Sequence, residues 1–552
     1  MPDGSGSRDA DAIDTAARAY GWETLRPGQR EAVEAVLEGH DVLAVMPTGH
    51  GKSAIYQLAA KLLEGVTVVF SPLIALQRDQ VEQLEEIGGD PAVAVNSAQR
   101  VGENREAWEE LEAGAAEFVF LAPEQLARDE VVQRLRELEP SLLVVDEAHC
   151  VSAWGHDFRP DYLRLGHVVE ALGHPPTVAL TATAAPPVRE EIVERLGLRD
   201  ARLVVRGFDR PNIFLQVQRE SEDDEKRRAI LERAVAEPKP GLIYVATRKD
   251  AERYAEALRE AGVAAEAYHA GLARAERERV HEAFSEGTAE VVAATSAFGM
   301  GIDKPDVRFV LHASPPDSPD SYYQEIGRGG RDGEAALAAL YYRAEDLGVH
   351  RFRTGGTPDT DMLAKVARAV RRADEPVEPE RLRAKLDVGA SRLTAAVNLL
   401  EQAGAVETTA SGELAWTEGA VKPAVDEAAR IAQSRRRIDR SRIDMMRGYA
   451  ETSGCRRRFL LAYFGEELAE PCGACDTCRS GSAARVDEAR AADAPGESEG
   501  DWPVGARVRH EAWGEGGVVS DDGDRITVLF DEEGYKTLAL EVIERSGVLA
   551  AL

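Results

Sequence analysis

Between residues 14 and about 350 the chain repeats one arrangement of apolar and polar positions. Short, near-continuous apolar runs rich in β-branched residues alternate with longer stretches of helical periodicity. Examples of the runs are Val66-Thr67-Val68-Val69-Phe70, Leu142-Leu143-Val144-Val145, Thr177-Val178-Ala179-Leu180 and Gly241-Leu242-Ile243-Tyr244-Val245. Runs that do not alternate belong to strands buried on both faces, so the pattern predicts an α/β architecture with parallel sheets. A second α/β unit is expected to begin near Phe208-Asp209-Arg210-Pro211-Asn212. The rhythm then changes. Met362, Leu363, Val366 and Val370 have helical spacing, a helix is expected near 380–387, and Leu393, Val397 and Leu400 stripe another over 391–403. Ser411-Gly412 turns between strand-like 405–409 and 413–417, so helices followed by a hairpin read as a winged-helix insert. Small polar residues over 481–500 suggest a linker, and 504–510, 514–519 and 526–530 predict short strands of a small barrel.

Composition narrows the picture in three ways. A chain of 552 residues with 44% hydrophobic content is expected to hold roughly two to five domains. No apolar run approaches the ~18–20 residues of a membrane span, and the polar, acidic residues 1–10 do not form a secretory signal, so no membrane partner is expected. Five cysteines, four of them after position 450, fit a reduced cytoplasmic chain. Net charge of −31 opposes a nucleic-acid partner unless cations gather locally. They do: from Arg430 to Arg458 ten arginines face three acids.

The chemistry starts at Met46-Pro47-Thr48-Gly49-His50-Gly51-Lys52-Ser53, between the apolar 41–45 and a helical pattern from Ala54. Strand, glycine-bearing loop and Gly-Lys-Ser opening a helix form a phosphate-binding P-loop. Backbone N–H groups of Thr48, Gly49 and Gly51 can cradle phosphates, Lys52 can reach the β/γ oxygens and Ser53 can ligate Mg²⁺. Met46 replaces the first glycine of the general pattern. Asp146-Glu147-Ala148-His149 directly follows the run 142–145. There Asp146 can hold Mg²⁺ and Glu147 can orient or deprotonate the attacking water. Together the two motifs specify NTP hydrolysis.

Taken in order, these motifs make the chain resemble the RecQ family of superfamily 2 DNA helicases over roughly residues 14–350 and at a later cysteine cluster. The resemblance implies two tandem RecA-like lobes, with lobe 1 at 14–205, lobe 2 at 206–355 and a disordered tail at 1–13. It marks Trp22, Arg26 and Gln29 as the adenine-reading motif. Gln29 carries a donor and an acceptor for a base edge, and Trp22 offers a stacking face. Cys150-Val151-Ser152-Ala153-Trp154-Gly155-His156-Asp157-Phe158-Arg159-Pro160 resembles the aromatic-rich loop that couples single-stranded DNA to hydrolysis. Trp154 and Phe158 can stack on bases and Arg159 can meet a phosphate, although a buried aromatic cluster is the plainer alternative. Cys150 is read as a packed thiol. Ser71-Pro72-Leu73-Ile74 and Leu121-Ala122-Pro123-Glu124 are implied DNA-backbone segments, and Thr181-Ala182-Thr183 the link between hydrolysis and lobe movement. Gln324-Glu325-Ile326-Gly327-Arg328-Gly329-Gly330-Arg331 supplies Arg331 as the implied arginine finger with Arg328 beside it, and Asp303 near the ribose.

Beyond the motor the expected units are the winged-helix-like insert (356–425), a zinc module (426–482), a linker (483–500) and the barrel (501–552). Cys455, Cys472, Cys475 and Cys478 have C-x16-C-x2-C-x2-C spacing, which suits one tetrahedral Zn²⁺. An iron–sulfur cluster uses similar triplets; the resemblance at Glu470-Pro471-Cys472-Gly473 favours zinc. The arginines around the cluster are candidate duplex-phosphate contacts. Residues 501–552 are similar to the Tudor-like module of UvrD/PcrA helicases, implying a protein partner such as RNA polymerase or a repair factor. The expectation is an ATP-, Mg²⁺- and Zn²⁺-dependent 3′→5′ DNA helicase of recombination and repair, cytoplasmic and nucleoid-associated, acting on single-stranded and partly duplex DNA. A DNA-stimulated ATPase that recruits partners, or an RNA helicase, are the rivals.

Overall fold

The computed structural model describes all residues except 1–4, 48, 73, 87–88, 98, 153–158, 300–303, 349, 351–357, 374, 410–411, 494–501 and 522–524. The first lobe is built on β1 (Val42–Val45), β2 (Thr67–Phe70), β3 (Ala92–Val95), β4 (Phe118–Leu121), β5 (Leu142–Val145), β6 (Thr177–Thr181) and β7 (Arg202–Val205). They form one parallel sheet in the order β3-β4-β2-β5-β6-β1-β7. Its central strands are buried at every position, as their unbroken apolar runs require. The second lobe uses β8 (Ile213–Arg219), β9 (Gly241–Tyr244), β10 (Ala265–Tyr268), β11 (Val291–Ala294), β12 (Phe309–His312) and β13 (Ala336–Tyr342). These too are parallel, in the order β10-β11-β9-β12-β13-β8. Two tandem RecA-like sheets result, and the chain passes between them through residues 206–212.

Helices Thr360–Arg371, Pro379–Leu386 and Ala390–Gln402 follow, with β14 (Val406–Thr408) and β15 (Leu414–Trp416) paired antiparallel and Val377 bridged to Leu414. The 31-residue helix Val421–Glu451 runs straight through the boundary expected at 425/426. At about 46 Å it is long enough to serve as a spine. Val425 and Ala428 pack on the preceding helices, whereas Ile443, Met446 and Tyr449 join Ile213 and Leu215 of lobe 2.

Two further expectations are corrected. A helix begins at Ser5 (Ser5–Ala19), where a disordered tail was expected, because Ile13, Ala16, Ala17 and Tyr20 fall on one face and are buried. The helix Ser482–Asp493 occupies the first part of the supposed linker, anchored by buried Ala483 and the Asp487–Arg458 ion pair at 2.9 Å. The C-terminal strands β16 (Arg507–His510), β17 (Gly514–Asp521), β18 (Arg525–Phe530), β19 (Gly534–Ala539) and β20 (Leu549–Ala551) form an antiparallel sheet in the order β19-β18-β17-β16-β20. It lies on the spine: Tyr535 N donates to Ser441 Oγ at 2.9 Å, and the Tyr535 ring stacks on Tyr463 at 5.0 Å. No helix among the described residues is long and apolar enough to cross a membrane.

Candidate nucleotide site and metal centre

β6 separates β1 from β5, so the loop after β1 and the carboxylates after β5 reach the same end of a parallel sheet. Gly49 (φ 82°) and Gly51 (φ 70°) turn the loop through left-handed backbone. The φ of Gly51 disfavours any other residue, and a Cβ there would also meet the Gln29 amide nitrogen at 2.8 Å. Lys52 Nζ folds back to donate to the Met46 carbonyl at 3.2 Å. Burial pushes the Lys52 ammonium below the usual lysine range; Glu147 and Asp146 oppose the shift and Arg331 adds to it.

Asp146 is 8% exposed, and burial, then the neighbouring Glu147 charge, push its carboxyl up to about 7 against the pull of Lys52. Glu147 itself adopts left-handed backbone at φ 49°. That conformation costs on the order of 1–3 kcal/mol and turns consecutive carboxylates in different directions. Buried His149 stands 3.3 Å from Glu147 Oε2 and 3.0 Å from Thr181 Oγ1 through Nδ1. The Thr181 carbonyl in turn accepts from Met46 N at 3.0 Å. One threonine at the end of β6 therefore touches both the phosphate loop and the Asp-Glu segment.

The upstream motif meets the same loop. Gln29 Oε1 accepts from Arg26 N at 2.7 Å, and Gln29 Nε2 donates to the carbonyls of His50 and Gly51 at 3.0 and 2.9 Å. Arg26 donates to the Gly49 carbonyl. Half-buried Trp22 packs 5.2 Å from the Tyr20 ring, and a cleft of about 630 Å³ opens beside Leu25, Arg26, Pro27 and Gly28. Ser53 opens the helix Ser53–Leu62 beside Lys52.

Lobe 2 closes the site from the other side. A Cβ on Gly49 would lie 3.2 Å from Cγ and Cδ of Arg331, so this side chain spans the cleft onto the phosphate loop. Arg328 stays in lobe 2, 6% exposed and bonded to Tyr244, whose hydroxyl donates to the Phe298 carbonyl at 2.8 Å. Gln324 Nε2 reaches Thr183 Oγ1 across the cleft at 3.4 Å. Arg159 donates to the Pro72 carbonyl at 2.9 Å, and nearby Tyr162 donates to the Asp146 carbonyl at 2.9 Å. Cys150 is fully buried. Thr48, Trp154, Phe158 and Asp303 lie outside the described residues. His149, Tyr162 and Gln324 were given no role in the sequence reading, because their contacts with Thr181, the Asp146 carbonyl and Thr183 join segments distant in sequence.

The four cysteines converge. The Sγ atoms of Cys455, Cys472, Cys475 and Cys478 all lie within 4.8 Å of one another, and Cys472 and Cys478 are 3.9 Å apart. Zn–S bonds of about 2.3 Å in a tetrahedron require sulfurs ~3.8 Å apart, so the set fits Zn²⁺. Cys455 precedes the helix Arg456–Tyr463, and Cys475 bridges to Leu215 of β8. Asp476 fixes this joint by accepting from Val217 N at 2.9 Å and Arg456 Nε at 2.6 Å.

Comparison with known proteins gives the same division. Residues 26–192 match the DEAD/DEAH box helicase family, 225–333 the helicase conserved C-terminal domain and 422–479 the RecQ zinc-binding family. The ATP-dependent DNA helicase RecQ of Pasteurella multocida is 36% identical over 85% of this chain and 62% of its own length. RecQ of Bacillus subtilis is 35% identical over 85% of this chain and 67% of its own length. This chain belongs to the RecQ family. Among solved structures, the Mycobacterium smegmatis helicase Lhr bound to ssDNA and AMP-PNP shares the fold, with a TM-score of 0.50 and 22% identity over 76% of this chain and 62% of that one.

As a RecQ-family chain it places residues 334–421 between its helicase and zinc-binding matches. Much of its arginine-rich stretch pairs with acids of the same chain. Arg430 pairs with Glu427 and Glu532, Arg437 with Glu533 at 3.0 Å, Arg456 with Asp476, Arg457 with Asp209 at 3.3 Å and Arg458 with Asp487. The partners come from the spine helix itself, the zinc segment and the helix after it, the interlobe connector and the C-terminal unit. Arg392, the cation of helix Ala390–Gln402, pairs with Asp359 at 2.7 Å.

Proposed function

We propose that this chain is an ATP- and Mg²⁺-dependent DNA helicase that travels 3′→5′ along single-stranded DNA and separates duplexes during recombination and repair. The observation that carries the reading is the meeting of Lys52, Asp146, Glu147 and the cross-cleft Arg331 around the phosphate loop. ATP would place its phosphates on the loop of Gly49, Gly51 and Lys52, with its base near Trp22, Arg26 and Gln29. Ser53 and Asp146 would hold Mg²⁺, which neutralises phosphate charge when bound. Glu147 orients the attacking water and takes its proton as ADP and phosphate form. Arg331 stabilises charge on the transferring phosphoryl group, a contribution of about 10³-fold or more in other NTPases. Since Arg331 belongs to lobe 2 and Lys52 to lobe 1, nucleotide chemistry is linked to lobe closure, with Thr181, Thr183 and Gln324 along the seam.

Residues 356–425 act as a winged-helix-like packing unit and 501–552 as a small Tudor-like barrel that receives a protein partner, in a nucleoid-associated enzyme. Displacement of the shorter strand from a 3′-tailed but not a 5′-tailed DNA duplex tests the reading. ATP turnover without displacement would favour a partner-recruiting ATPase, and equal stimulation by RNA would favour an RNA helicase. The aromatic-rich segment is tested by Trp154→Ala, expected to weaken DNA stimulation of ATPase about tenfold or more while ATP binding persists.

A further inference from the structure

The turn that carries the two arginines is not self-supporting. Residues 327–330 bring three glycines into a tight reversal, with Gly330 at φ 55°, and leave several carbonyls directed toward the interlobe connector. Arg210, from that connector, covers them. Its NH1 donates to the Gly327 carbonyl at 3.1 Å, and its NH2 donates to the carbonyls of Gly329 and Gly330 at 2.7 and 2.9 Å. Asn212 adds bonds to the carbonyls of Gly330 (2.8 Å) and Glu334 (2.9 Å), framing the far side of the turn.

The connector is itself held. Arg457, at the start of the helix after Cys455, donates to the carbonyls of Arg210 (3.1 Å) and Ile213 (2.8 Å) and pairs with Asp209 at 3.3 Å. Phe208 stacks on Phe464 at 4.5 Å, and its N–H donates to Glu466 at 2.5 Å. A planar guanidinium fork on three carbonyls fixes both distance and orientation, which a lysine ammonium cannot reproduce.

Resting on the hydrolytic reading above, we infer that Arg210 is a positioning residue for the reaction, holding the 327–330 turn so that Arg331 meets the phosphate loop. It touches neither nucleotide nor the reacting atoms; it acts through Arg331. Its place on the connector gives the finger one fixed attitude relative to the hinge between the lobes. A misplacement of about 1 Å at a transition-state contact costs on the order of 100-fold in rate.

The test uses the zinc-loaded full chain with Arg210→Ala, Arg210→Lys, Arg331→Ala and the double variant Arg210→Ala/Arg331→Ala. ATPase is followed with saturating single-stranded DNA, and ADP binding and thermal midpoint are measured beside it. The expected result is a kcat about 100-fold lower in both Arg210 variants, with KM for ATP and ADP affinity within about threefold of the unmodified chain. The double variant should be no slower than Arg331→Ala alone, because the two residues act as one unit. Multiplicative losses in the double variant overturn the inference. So does an Arg210→Lys chain with full kcat, or variants that lose fold and ADP binding together, since these mark a residue of general stability. An unmodified chain without DNA-stimulated ATPase overturns the hydrolytic reading along with it, whereas an active unmodified chain and equally active variants overturn this inference alone.

Discussion

Asp146 and Glu147 are neighbours in sequence and have the same charge, yet the fold gives them different surroundings. Asp146 continues β5 into the buried end of the sheet, while the left-handed backbone at Glu147 turns the second carboxylate away toward His149. Because burial raises Asp146 to about 7, the folded chain holds a proton there that the unfolded chain releases at lower pH. Its contribution to stability therefore falls as pH rises toward 7, the usual trade of a functional site. As pH drops through about 7, Asp146 gains a proton and loses the charge that, on the proposed function, would attract Mg²⁺. The Mg²⁺ concentration needed for half-maximal ATPase should rise by up to about tenfold per unit below that value, which titrations at pH 6 and 8 check. Lys52→Ala should lower DNA-stimulated ATPase about 100-fold or more, read by phosphate release, because it removes the buried ammonium at the root of the phosphate loop. The identities at these positions were legible in the sequence. The strained φ of Glu147 and the shared contact at Thr181 were not, since both arise from strand order.

At the scale of elements, parallel strands and their helices were readable because doubly buried strands cannot alternate. The edges were harder. Ser5–Ala19 forms a helix whose few apolar residues matter only because the helix Ser53–Leu62 lies beneath them. The zinc-binding segment shares a core with lobe 2, and its four thiolates sit at that joint, where a bound metal would add order. Cys475→Ser or a strong chelator should release the metal and loosen the segment from β8, lowering the thermal midpoint by several degrees, about 2–4 °C per kcal/mol lost for a unit the size of a lobe with its attached segment. Zinc content measured together with the melting curve checks this; an unchanged midpoint after metal loss would remove the structural role. Positive charge on the spine helix was also visible in the sequence, but its partners, Glu532 and Glu533, arrive from about a hundred residues away.

On the scale of the whole molecule, the C-terminal sheet is joined to the motor by more than a tether. Tyr535, Tyr463 and buried Arg442 form a junction with Asp320, which accepts the Tyr463 hydroxyl, and Val519 and Leu529 share a core with lobe 1. Tyr535→Ala should cost about 3 kcal/mol at this junction and make the sheet separable by limited proteolysis, with the nucleotide site intact. Uniform protease resistance would show that the junction tolerates the loss. What the sequence determined by itself was chemistry with a local address: the phosphate loop, the Asp-Glu pair, the paired arginines and the cysteine spacing. Each depends on residues close enough in the chain to be constrained by one turn, strand end or metal ion. Only the tertiary structure decided which carboxylate is buried and which distant acids pair with the arginine-rich stretch. Those outcomes depend on strand order and on contacts between distant segments, where burial and Coulomb energy are set by neighbours that the linear pattern does not specify.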